Sequence, residues 1–176
     1  GGVLGGLGGL GGAAITGFCP AAGSMILLMD GSERRIELLK SGDQVQGIDG
    51  APCTIEVIPS DLCETVRVTL ENGLITHNSL THAFALPLGG FTVSIKSKGV
   101  LVKTAAGDSK VVSVEDGGVR QVYNIITDGS HTYCADSVWA LGVGEAEREI
   151  PMDTWARVGQ VLGRKVVENE TNRKYR

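Results

Sequence analysis

The chain has 176 residues and a net charge of −4, enough for one domain with a substantial core and a small appendage. No basic cluster precedes the C-terminal tail, which argues against a nucleic-acid partner. Glycine is abundant, at 26 residues, against three Phe, three Tyr and two Trp, a balance that favours strands and turns over helices.

Residues 1–18 form a first segment with three successive Gly-Gly-Leu-like units (Gly5-Gly6-Leu7, Gly8-Gly9-Leu10, Gly11-Gly12-Ala13) and no charge before Asp30. A signal peptide fits poorly, because no basic region leads the run. The glycines and Pro20 argue against a spanning helix. The plain reading is a flexible linker. The sharper one is an apolar tail that packs on a partner or touches a membrane, its glycines permitting close approach. The chain does not begin with Met, as expected of a fragment or a processed product.

Residues 19–144 read as a series of short strands. Met25–Met29 is an apolar run ending at Asp30-Gly31, and Ile36–Ser41 reads as a helical turn. Cys63–Leu70 alternates through Val66, Val68 and Leu70 before Glu71-Asn72-Gly73, a hairpin signal, with Leu74–Thr76 opening the return strand. Phe91–Ile95 alternates again. Val111, Val112 and Val114 precede an expected turn at Asp116-Gly117-Gly118. Val119–Thr127 and Thr132–Leu141 follow, separated by Asp128-Gly129. Turns recur about every ten residues, so the fold class is all-β. The tail, 145–176, holds 13 charged residues, and its apolar residues recur at helical spacing with Pro151 suited to a first turn. An amphipathic helix over 151–167 is expected there.

Cys19 is followed by Gly23, Ser24 and Asp30-Gly31, then by Ile36, Gly42-Asp43 and Val45. Gly73 leads to Ser79, His82 and Phe84. Further on come Val122-Tyr123-Asn124-Ile125 and Asp128-Gly129-Ser130-His131-Thr132-Tyr133. These three runs, in this order, resemble the motifs of the Hint family, the self-cleaving module shared by inteins and hedgehog C-terminal domains. The resemblance implies a Hint β fold with pseudo-two-fold symmetry and no cofactor.

It also implies an N-to-S acyl shift on the chain's own upstream polypeptide. Cys19 would attack the carbonyl of Phe18 and turn the Phe18–Cys19 amide into a thioester. The thiol must lose a proton, the leaving amine must gain one, and the oxyanion needs donors. His82 matches the family's histidine that serves the leaving nitrogen. Ser79 stands where relatives carry Thr or Ser, and would hold the scissile amide. His131 resembles the second histidine and would act in a later step. Asn124 stands where many relatives have Asp, and an amide cannot titrate; Asp136, nearby in sequence, is a candidate to compensate. A nucleophilic Cys19 needs a free thiol, which favours a reducing setting, cytoplasmic or virion-associated in a bacterial or phage host.

A splicing intein ends in His-Asn followed by Cys, Ser or Thr. Here Ser137–Leu141 runs into Gly142-Val143-Gly144. The expected outcome is N-terminal cleavage, with water or a small thiol or amine as acceptor, rather than full splicing. The alternative is an inert Hint scaffold serving as a structural module in a larger assembly protein. His77 reads as a bystander and Cys53, Cys63 and Cys134 as small apolar fillers. The cysteines lack zinc-type spacing, and no metal site is expected.

Overall fold

The computed structural model describes residues 19–142; the expected tail helix and the glycine-rich segment lie outside the described residues. Thirteen strands follow one another: β1 (Met25–Leu27), β2 (Glu33–Arg35), β3 (Gln44–Gln46), β4 (Pro52–Val57), β5 (Ser60–Leu70), β6 (Ile75–Ser79), β7 (Ala83–Ala85), β8 (Phe91–Val93), β9 (Leu101–Thr104), β10 (Gly107–Tyr123), β11 (Ile126–Thr127), β12 (Thr132–Ala135) and β13 (Val138–Leu141). Single 3₁₀ turns at Ile36–Leu38 and Ser94–Lys96 interrupt them. The chain is all-β over the described residues.

One large sheet runs β2-β1-β12-β13-β9-β10-β5-β6, with β7 joining β13 to β8; a small sheet holds β11-β4-β3. The spine is β5 against β10, antiparallel from Leu70↔Val111 to Ser60↔Tyr123. The expected hairpin at Asn72-Gly73 is present. Gly73 takes φ +93°, its N–H donates to Leu70 O, and Leu74 N–H donates to Asn72 Oδ1.

Two expectations need correcting. Asp116-Gly117-Gly118 is not a turn between strands but a bulge inside β10. Asp116 faces Val66 and Gly118 faces Thr65, so Gly117 is the extra residue. The bulge forms because both halves of β10 pair with the same strand, and glycine fits where a Cβ would meet Thr65 Oγ1 at 2.6 Å. Conversely, Thr132–Leu141 is not one strand. It folds back at Asp136-Ser137, both at positive φ (54° and 67°). This two-residue turn lacks the glycine that usually announces it.

A shift of 58 residues carries Met25 to Ala83, Glu33 to Phe91 and Ile36 to Ser94, each opening an equivalent element. Backbone bonds repeat with it. Gly31 N–H donates to Leu28 O as Gly89 does to Leu86 O, and Ile36 N–H to Ser24 O as Ser94 does to His82 O. Pro20 pairs with Asn78, its own equivalent, so the pseudo-two-fold axis passes through that pair. The pairs Leu62↔Gln121 and Cys63↔Arg120 exchange under the same shift. Each half buries its own core, one around Ile26, Ile36 and Val45, the other around Phe84, Ile95 and Val102.

Candidate active site

The axis leads to Cys19. The segment after it is held on both edges. Pro20 bridges Asn78 of β6 and Ala21 bridges Val122 of β10. On the β10 side Tyr123 N–H donates to Pro20 O at 3.0 Å. Continuing that register one step carries Asn124 to the level of Cys19. Asn124 is buried, and its N–H donates to Pro59 O at 2.9 Å.

On the other edge Ser79 grips Cys19 twice. Its N–H donates to Cys19 O at 2.8 Å, and its Oγ accepts the Cys19 N–H at 3.2 Å. The hydroxyl therefore fixes the nitrogen side of the peptide link that precedes Cys19. Ser79 closes β6, and a tight turn follows in which His82 N–H donates to Ser79 O at 3.2 Å. His82 is fully buried, edge-on to Phe84 with ring centroids 5.4 Å apart. Cys19 is thus bonded to Ser79 at one end of the turn that carries His82 at the other.

Sequence reasoning missed two neighbours. Buried Ser94, in the second 3₁₀ turn, donates its hydroxyl to Ser79 O (2.6 Å) and Leu80 O (2.9 Å), pinning the turn that carries His82. Its equivalent in the first half is buried Ile36, a correspondence that only the structural repeat reveals. Tyr133 on β12 is the largest fully buried side chain among the described residues, its ring centroid 6.3 Å from that of His82. Burial, and the negative charge of a thiolate at Cys19, push its phenol well above the usual tyrosine value.

The remaining predicted residues lie apart from this cluster in their contacts. His131, at φ 61°, places Nδ1 2.7 Å from Thr127 O, and its carbonyl accepts the N–H of Gly142. Asp136 accepts Met25 N–H at 2.9 Å and the Thr76 hydroxyl at 2.8 Å; Asn78 Nδ2 in turn donates to Thr76 Oγ1 at 3.2 Å. It is a clamp between β1, β6 and the β12–β13 turn. At Gly142 a Cβ would come within 2.9 Å of His131 O and 3.0 Å of Ile125 O. No side chain enters there without moving backbone.

None of the four cysteines is in a disulfide. Burial pushes the Cys63 thiol up to about 12, helped by Asp61 and Glu64, and the Cys134 thiol up to about 12, helped by Glu33 and Asp136. Neither is a nucleophile at neutral pH. Among the described residues no cluster of His, Cys, Asp and Glu could hold a metal ion.

No family model and no curated protein sequence matches the chain. Solved structures do. The crystal structure of the gp41-1 intein aligns with a TM-score of 0.63 at 20% identity, covering 70% of this chain and 98% of that one. A DnaB intein from Synechocystis sp. PCC 6803 gives 0.64 at 14% identity, covering 70% and 97%. The solution structure of a bacterial intein-like domain from Clostridium thermocellum gives 0.61 at 23% identity, covering 70% and 98%. The fold is that of a Hint domain. Cys19 and Ser79, the pair next to Pro20 and Asn78, lie beside the pseudo-two-fold axis, where the two halves meet.

Proposed function

We propose that this Hint domain cleaves its own chain at Phe18–Cys19. The Cys19 sulfur attacks the Phe18 carbonyl carbon, the C–N bond breaks, and His82 delivers a proton to the departing Cys19 nitrogen. Ser79 holds that nitrogen in place beforehand. Water or a small thiol or amine then takes the acyl group from sulfur, which releases the upstream polypeptide.

The observation that carries this reading is the paired grip of Ser79 on both main-chain groups of Cys19, with buried His82 three residues on. Cleavage without ligation is favoured by the end of the last strand. Leu141-Gly142 offers no asparagine to cyclise, and the backbone at 142 has no room for one. The solved inteins and the intein-like domain support self-processing as the class of activity through their shared fold.

Intact mass spectrometry with dithiothreitol tests it. Loss of residues 1–18, abolished in Cys19→Ala, is the expected result. A full-length mass that stays unchanged in both chains would leave an inert scaffold instead.

A further inference from the structure

Tyr133 is a costly choice for its place. Phenylalanine would fill the same core volume with no hydroxyl to bury, and burying a hydroxyl is unfavourable unless it serves a polar partner. It stands on β12 with its ring facing His82 at 6.3 Å, and none of its surface is exposed. Cys19 and His82 are both bonded to Ser79, Tyr133 sets its tilted ring near His82, and the charge of Cys19 reaches its phenol.

We propose that the Tyr133 hydroxyl donates a hydrogen bond to the Cys19 sulfur as it becomes a thiolate, which makes Tyr133 a third working side chain of the site. A charge formed in a place without water needs a fixed donor, and such donors act more strongly there than in solvent. Burial and the charge at Cys19 keep the phenol protonated at neutral pH, so it remains a donor throughout. The proton balance is closed. The thiol proton passes to the His82 imidazole, the sulfur–carbon bond forms as the carbon–nitrogen bond breaks, and His82 hands that proton on to the departing amine. Tyr133 keeps its own.

This inference rests on the cleavage reading above. Its test is Tyr133→Phe in the full chain, followed by dithiothreitol-induced release of residues 1–18 across pH. The variant is expected to fold, to release about tenfold to a hundredfold more slowly, and to need a higher pH to reach its plateau, because an unassisted thiol holds its proton longer. Release within twofold of wild type (about the scatter of such rates), or a slower rate with an unmoved pH profile, overturns it. Should Tyr133→Phe fail to fold, 3-fluorotyrosine in a Tyr123→Phe, Tyr175→Phe chain serves in its place. This more acidic donor of nearly the same shape should raise the rate about twofold, and an unchanged rate overturns the proposal. A wild-type chain that never releases the segment takes down the cleavage reading and this inference together. A releasing wild type with an equally fast variant removes only the role of Tyr133.

Discussion

Ser79 holds Cys19 by its carbonyl and by its nitrogen, and the two bonds predict different costs. Ser79→Ala keeps the main-chain bond and loses the hydroxyl, so release should slow about tenfold, the worth of one neutral hydrogen bond. Ser79→Thr keeps the oxygen and restricts its rotamer, so release should match or exceed wild type. His82→Ala should cost about a hundredfold or more, as expected for loss of a general acid. Dithiothreitol-induced release rates measure all three. These residues were legible because local chain delivers them: Ser79 and His82 lie in one turn. Tyr133 and Ser94 were not legible, since an aromatic on a short strand and a serine in a 3₁₀ turn look like core and turn until the packing shows what they face. His77 was read as a bystander, and its surroundings make it a pH reporter. Burial, then Arg120 and Arg67, hold its imidazole below the usual 6.5, with Asp136 opposing. The folded state therefore prefers neutral His77. Its contribution is fully present above 6.5 and is lost as pH falls through the lower, folded value. An NMR titration should place the His77 midpoint below 6.5, and between pH 7.5 and pH 5 the urea midpoint should fall more for wild type than for His77→Gln.

Among the elements, the β12–β13 turn gives Asp136 a structural duty. Asp136 accepts from Met25 N–H and Thr76 Oγ1, and Thr76 accepts from Asn78, the residue beside Ser79. Asp136→Asn keeps one acceptor oxygen for the Met25 N–H, suits positive φ and turns its amide N–H toward the Thr76 oxygen, so stability and release should fall less than in Asp136→Ala. Asp136→Ala leaves two donors unmatched and should cost about 1–3 kcal/mol in denaturant unfolding. An acid–base role would reverse the order, with Asp136→Asn dead and still stable. At the bulge, Gly117→Ala should destabilise by about 1–3 kcal/mol through its contact with Thr65, again read by unfolding. Both features resisted a sequence reading for the same reason. Asp-Gly-Gly spells turn and bulge alike, and Asp-Ser spells neither. What decides is which partner strand each flank meets, and that is long-range information carried by β5 and β13.

Over the whole molecule, the strands and the three motif segments could be read from hydrophobic alternation and spacing, but the duplication's register could not. Equivalent positions hold Ile26 and Phe84, or Ile36 and Ser94, so the repeat survives in hydrogen bonds and glycine turns rather than in side chains. The loop between β7 and β8 is the exposed crossing point of the second half: Leu88 is 101% exposed, with Gly89 and Gly90 at positive φ. A nick at Leu88–Gly89 should leave the two pieces associated through β5 against β10, and release should persist, whereas each piece alone should be silent. Size-exclusion chromatography with the dithiothreitol assay reads both. The position of Cys19 between β6 and β10 also sets a schedule. Synthesis delivers the sulfur early, yet its cradle is missing until Tyr123 and Asn124 have emerged from the ribosome, about 5–20 s later at ordinary elongation rates. On the proposed cleavage, a nascent chain carries Cys19 unarmed over that interval, and the segment ahead of it stays attached until the cradle has formed.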